Sequence, residues 1–366
     1  MIQLDGSYLE GGGSIARVAL ALSTLTQKPF EIMDIRKNRP QPGLKHQHLF
    51  CIKALEKLCN AKSEGASLGS TYLKYCPGKI AGKTIDIDIQ TAGSISLFLQ
   101  SIIIPSMFAD KNVRLKLIGG TDVKWAAPID YFGEVFLPQI SKYADIELKL
   151  INRGYYPKGN GKLQIKIIPK YNLSGFGNFD EFHSYFKQSA PKISLTEQGI
   201  LIQIKGISHA SLDLESANVA ERQAKSAELA LRSLNCPINI KIEYNKTLST
   251  GSGITLWAIF SKNKDEIDSI NPIRLGADSL GEKGKKAEQV GSEAANCLID
   301  QINSKAAVDC HLTDQILSFM ALSRNCRIKT SEITDHARTN IYVIEKFLDV
   351  EFKIKDNVIE CTSSKK

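Results

Sequence analysis

Apolar residues recur every third or fourth position in some stretches of the chain and every second position in others, and the two periods alternate. Ile15, Val18, Leu22 and Leu25 predict a first helix, opened by Glu10-Gly11-Gly12-Gly13-Ser14 with Ser14 as N-cap. Residues 29–35 predict a strand. A basic, proline-bearing loop over 36–47 leads to a second helix carrying Leu49, Ile52, Leu55 and Leu58. Strands predicted at 71–75 and 84–89 complete a unit of two helices and about four strands.

Residues 91–170 repeat that grammar. Ala92-Gly93-Ser94 opens an apolar helix, 113–118 reads as a strand, a second helix begins at Pro128, and strands follow at 146–150 and 163–168. The Gly-Ser opening at 13–14 returns at 93–94, which points to internal duplication. A third, partial copy has helices over 312–322 and 340–348 and strands at 350–354 and 358–361. Residues 172–192 read as an irregular connector. Between the second and third copies come strands at 201–205, 238–244, 254–260 and 273–275, with helices over 219–234 and 287–302. These four strands and two helices form a module that an existing unit could accept as an insertion. The expected class is α/β (α+β), with a main domain of residues 1–192 and 304–366 and an inserted α/β domain of residues 193–303.

Composition narrows the class. With 43% hydrophobic and 23% charged residues the chain is an ordinary globular protein. The formal net charge of +8 favours a polyanionic partner, or serves only solubility. The eight cysteines form no Cys-x-x-Cys pair, which excludes a zinc ribbon and predicts reduced thiols. Strand-like residues follow Met1 almost directly, so no signal peptide is expected. The most apolar run, residues 95–108, is too short to span a bilayer. A soluble, cytoplasmic protein is expected.

Candidate chemistry begins at His336. Ile341, Val343, Ile344, Phe347 and Leu348 mark a helix that Thr339 or Asn340 could cap, placing His336 just before its N-terminus. Free N–H groups and the helix dipole favour an anion there, and a neutral imidazole beside a phosphate is a competent nucleophile toward phosphorus. A solvated histidine is the plainer alternative. Glu10 before three glycines suits a metal-bound phosphate, or only a tight turn, and Arg17 lies one turn further on. The loop Arg36 to His48 could grip a nucleic-acid backbone or merely be solvated. Gln100 in an apolar helix needs a hydrogen-bond partner. His311, Asp314 and Gln315 read as a capping cluster. Gly78 to Thr84 has the wrong glycine spacing for a phosphate loop and precedes a strand. His46 and His48 lack a third metal ligand.

Taken together, these stretches resemble the RNA 3'-terminal phosphate cyclase family. The matching residues are Asp5 to Arg17, Arg36 to His48, Thr91 to Ser94 with Gln100, Gly119 to Thr121, Arg153 to Gly161, His311 to Gln315, and His336 with Thr339-Asn340, in family order over nearly the whole chain. The resemblance implies three α/β units around a pseudo-threefold, helices inside and sheets outside, plus the inserted module. It implies ATP-dependent conversion of an RNA 3'-phosphate end to a 2',3'-cyclic phosphate, with His336 as the nucleophile that carries AMP. Gln100, Pro128, His311, Leu312, Thr313, Asp314 and Gln315 fall on adenylate-pocket positions. Glu10 matches the acidic residue near the metal, Mg²⁺ or Mn²⁺, and Arg17, Arg39 and Gln47 match phosphate- or RNA-binding positions. Position 311 holds His where the family pattern has Tyr. The oligomeric state is not implied. An alternative is the related, catalytically inactive protein of ribosomal RNA processing, which lacks the nucleophilic His. An enolpyruvyl transferase shares a threefold architecture, but explains neither His336 nor the inserted module.

Overall fold

In the computed structural model, which describes residues 1–9, 11–263 and 266–364, four four-stranded mixed sheets carry the chain. The first unit runs β1 (Ile2–Asp5), α1 (Ser14–Thr26), β2 (Phe30–Met33), α2 (His46–Cys59), β3 (Lys62–Glu64) and β4 (Leu73–Cys76). Its β1 pairs parallel to β2, β2 antiparallel to β4, and β4 antiparallel to β3.

The second unit runs β5 (Thr84–Asp88), α3 (Ile95–Met107), β6 (Val113–Gly119), then α4 (Ile129–Tyr131), a π turn at Phe132–Phe136 and α5 (Leu137–Ile140), then β7 (Ala144–Asn152) and β8 (Gly161–Pro169). Its strands pair in the same sense, β5 with β6 parallel, β6 with β8 and β8 with β7 antiparallel. Residues 84–88 therefore begin the second unit and do not end the first. The repeat starts at the strand before each Gly-Ser helix opening; the side chains of β5 are alternately exposed and buried, and the strand lies against α2 of the first unit.

After α6 (Phe179–Ser189) comes β9 (Ser194–Leu195), followed by β10 (Ile200–Ser211), α7 (Val219–Leu231), β11 (Ile238–Asn245), β12 (Ser252–Ser261), β13 (Ile273–Leu280) and α8 (Ala287–Asn303). The chain closes with α9 (Cys310–Ser323), β14 (Cys326–Lys329), α10 (Asp335–Phe347), β15 (Val350–Lys355) and β16 (Val358–Ser363). Strand β9 pairs parallel to β14, β14 antiparallel to β16, and β16 antiparallel to β15, the wiring of the first two sheets again. The third copy thus has all four strands. The short β9 and β14 carry too few residues for an alternating pattern to register. Strands β10 to β13 form their own sheet, with order β11-β10-β12-β13, between β9 and α9.

The stretch 172–192 is not irregular. Phe179, Phe182 and Phe186 lie at helical spacing and are buried on one face of α6, and Asn178 caps it by accepting from the Glu181 N–H at 3.0 Å. At the centre, all 13 residues of α1 are buried, so no face of it meets solvent. It packs against α2, α3 and α10, one of them from each unit. Burying Leu20, Leu22 and Leu25 contributes about 1.5–3 kcal/mol each. All eight cysteines are free, and among the described residues no helix is long and apolar enough to cross a membrane.

Candidate active site

Four helices begin at one cleft of about 1120 Å³. Its wall includes Gly12, Gly13 and Ser14 at the start of α1, Lys45, Gln47 and His48 at the start of α2, Ser94 before α3, and His336 in the first turn of α10. Each start presents N–H groups with no partner inside its helix, and the dipoles add positive potential. Arg17, Arg36 and Arg39 line the same cleft. Among the predicted residues, His336, Arg17, Arg39 and Gln47 are brought together here, from opposite ends of the chain. Glu10 lies outside the described residues.

The α1 start differs in detail from its sequence reading. Gly13 is the cap position, with φ −72° and ψ −8°, and Ser14 is already helical. Ser94 does cap α3, accepting from the Leu97 N–H at 3.2 Å. Arg17 is buried and donates Nε to Gln100 Oε1 at 3.1 Å, which supplies the partner that Gln100 required. Burial lowers the Arg17 pKa, and the Cys51 and Asp314 charges oppose it.

The sequence reading placed His48 only at the end of the basic loop and gave it no role of its own. Its Nδ1 accepts from the Lys45 N–H at 2.9 Å, so its proton sits on Nε2. Burial first, and then Arg17, Arg36 and Lys45, push its pKa down to about 3, which keeps the ring neutral. Nε2–H and the Ser14 hydroxyl are buried and have no hydrogen-bond partner among the described residues. Two unpaired polar groups beside glycines and an arginine are what an anion site offers before its ligand arrives. A side chain on Gly13 would collide with His48 Nε2 and stand 3.0 Å from Arg17 Nη1, so glycine keeps that space open.

Helix α10 begins five residues earlier than Asn340. Thr334 is its cap, accepting from the Ala337 N–H at 3.2 Å, and His336 is exposed in the first turn. Thr339 and Asn340 are buried inside the helix, and Asn340 Nδ2 donates to the Asp314 carbonyl at 3.0 Å. Tyr342 stacks on Tyr8 at 4.2 Å, and its hydroxyl accepts from the Asp5 N–H at 3.1 Å. The helix bearing His336 is thereby fastened both to the glycine-rich loop and to α9.

The other predicted positions, Gln100, Pro128 and His311 to Gln315, are not among the residues that line the cleft. Pro128 caps α4. Asp309 caps α9, accepting from the His311 and Leu312 N–H groups at 3.0 and 2.8 Å. It also accepts from the Tyr131 hydroxyl at 2.6 Å and the Gly276 N–H at 2.9 Å. The His311 ring is exposed and meets Tyr131 edge-on. Leu312 and Thr313 are fully buried in the core, and Gln315 Nε2 donates to the His311 carbonyl at 2.9 Å. Burial pushes the Asp314 pKa up to about 6, against the pull of His336, His311 and Arg17.

Asp122, Asp130 and His209 bring ligand atoms within 4.8 Å of one another. Arg153 already occupies that cluster, with Nη1 2.8 Å from Asp130 and 3.3 Å from Asp122. Its Nη2 lies 2.9 Å from Glu243 in β11, and His209 of β10 reaches Asp122 at 3.3 Å. This buried network joins the second unit to the sheet of β10 to β13, whose flanking residues Thr250, Leu280 and Lys283 line the cleft.

Comparison with known proteins identifies the family. A family profile described as RNA 3'-terminal phosphate cyclase matches residues 8–354. Proteins named RNA 3'-terminal phosphate cyclase from Pyrococcus furiosus and Saccharolobus solfataricus are each 44% identical to the chain; they align with 98% and 97% of it and over 97% and 96% of their own lengths. A third, from Pyrococcus abyssi, is 41% identical over 98% of the chain and 96% of its own length.

Proposed function

Because the chain belongs to the RNA 3'-terminal phosphate cyclase family, we propose that it uses ATP to close an RNA 3'-phosphate into a 2',3'-cyclic phosphate, with His336 carrying AMP between the two. The observation that carries this reading is that His336 lines one cleft with the Gly12-Gly13 turn, Arg17, Arg39 and Gln47.

A ring nitrogen of His336 attacks the α-phosphorus of ATP, and the bond to the β-phosphate oxygen breaks to release pyrophosphate. Pre-positioned N–H groups at the helix starts, with Arg17 and the His48 Nε2–H, stabilise the added negative charge without reorganising. An oxygen of the RNA 3'-phosphate then attacks the same phosphorus and frees His336. The terminal phosphate now carries AMP as a leaving group. The neighbouring 2'-hydroxyl loses its proton and attacks that phosphate, expelling AMP. Because this last step is intramolecular, proximity can supply roughly 7–11 kcal/mol of the barrier.

The adenylate is assigned to Gln100, Pro128 and the first turn of α9, with His311, Asp314 and Gln315 facing it. Leu312 and Thr313, whose side chains are buried in the core, are assigned to the same turn. Mg²⁺ or Mn²⁺ would neutralise phosphate charge. Among the described residues no open carboxylate cradle for it stands in the cleft, since Asp122 pairs with Arg153 and Glu282 with Lys124 at 2.9 Å. By the family resemblance Glu10, which lies outside the described residues, is the carboxylate assigned to the metal. Free thiols and a nucleotide substrate fit a cytoplasmic enzyme.

Incubation with α-phosphate-labelled ATP tests the reading. Protein-bound label that is labile in acid and stable in alkali is expected from the wild type and absent from His336→Ala. Equal labelling of the two proteins would remove His336 as the nucleophile.

A further inference from the structure

Trp125 is 94% exposed, and its backbone sits at φ +62°, a left-handed conformation that bulky residues rarely adopt. At that exposure the chain itself makes almost no contact with the indole, so nothing in the fold explains why a strained backbone presents it to solvent. Strain held without a packing return points to a ligand. Trp125 lines the cleft that contains His336, and so does Tyr156, which is 76% exposed.

The two loops that carry these rings are braced. The backbone of Asp122 bridges to Tyr155, the Tyr155 hydroxyl is 2.8 Å from His209 Nδ1, and Arg153 ties Asp122 to Asp130. Lys124, Lys283, Arg36 and Arg39 line the same cleft. Rigid aromatic faces among basic groups suit single-stranded nucleic acid, whose bases stack while its phosphates meet cations.

Resting on the function proposed above, we propose that Trp125, assisted by Tyr156, is a stacking platform for a nucleobase of the single strand leading to the RNA 3'-phosphate. The shared chemistry is a nucleobase on an indole, and ATP carries one too. A small ligand, however, is ordinarily buried over roughly 70–90% of its surface, whereas a ring this exposed can cover only one face of a base. That suits a strand passing over the rim.

The chain has two tryptophans, and the other, Trp257, is buried, so emission quenching reports chiefly on Trp125. The probe is a 3'-phosphorylated oligoribonucleotide, compared with the same strand made abasic at its terminal positions and with ATP alone. The intact strand should quench strongly, and the abasic strand and ATP weakly. Trp125→Gly removes the ring and adopts this backbone without strain, so it should melt no lower than wild type. It should nevertheless bind the intact strand about 5- to 150-fold more weakly, while Trp125→Phe recovers most of the affinity. Wild-type affinity in Trp125→Gly, or quenching by ATP equal to that by RNA, would overturn the platform alone. A wild-type protein that binds no RNA would remove both the platform and the function on which it rests.

Discussion

Replacing Arg153 by Met tests what holds the β10 to β13 sheet beside the cleft. The guanidinium is 1% exposed and faces three carboxylates: Asp122 at 0%, Asp130 at 9% and Glu243 at 39% side-chain exposure. Methionine keeps much of the volume and removes the charge, leaving Asp122 buried with only His209 and the Thr121 hydroxyl, and Asp130 without its cation. Removing one partner of a buried pair costs about 3–5 kcal/mol. The half-exposed Glu243 bond accounts for no more than about 1 kcal/mol of that, so Glu243→Gln is the mild control.

Urea unfolding followed by emission of Trp257, a buried residue of β12, reads the affected sheet directly. The pH dependence supplies a second check. Burial works to raise the Asp122 pKa, but His209 and Arg153 outweigh it and hold the group well below the usual carboxylate range. A depressed folded-state pKa contributes stability that is present at neutral pH and lost in acid below about 4. In Arg153→Met the stranded carboxylates can instead take up protons, so the deficit against wild type should shrink from pH 7 to pH 5. A loss no larger than that of Glu243→Gln, or one independent of pH, would refute the reasoning.

Two further perturbations probe the anion site. Gly13→Ala is compatible with the Gly13 backbone, but its methyl collides with the buried His48 ring and crowds Arg17. A cost of about 1–3 kcal/mol in chemical unfolding and a loss of labelling from ATP are expected, and full labelling would separate this turn from the nucleotide. The Asp314 pKa, raised to about 6 by burial, means that the folded state retains a proton the unfolded chain has lost. Its contribution to stability therefore falls as pH rises from about 4 to 6, and Asp314→Asn should flatten stability across that window by on the order of 1–3 kcal/mol. Parallel wild-type and variant curves would exclude it.

The repeated units were legible because each helix turns one stripe inward and most strands are long enough to alternate. Where the reading slipped, a local signal was weak or outcompeted. Ser14 and Ser94 both follow glycine, yet only Ser94 caps, because Gly13 takes the cap position where a side chain would strike His48. Thr334 caps α10 and leaves Thr339 and Asn340 to pack inside it, although all three are good capping residues in isolation. In α6 the Asn- and Gly-rich approach masked a helical phenylalanine stripe.

The site itself is a different case. Each helix start can be found from its own residues, but their meeting cannot, because it depends on α1 being enclosed by helices from all three units. A wholly buried helix has no polar face to fix its rotation by local pattern. Its orientation is set by partners more than three hundred residues away, such as α10, whose Tyr342 stacks on Tyr8. His48 follows the same logic: beside His46 it was a poor metal pair. Once Lys45 takes its Nδ1 and Arg17 stands nearby, it becomes a neutral ring on the wall of the cleft. The chemistry of each side chain was present in the sequence, whereas the charge state in which it acts is a product of the packing.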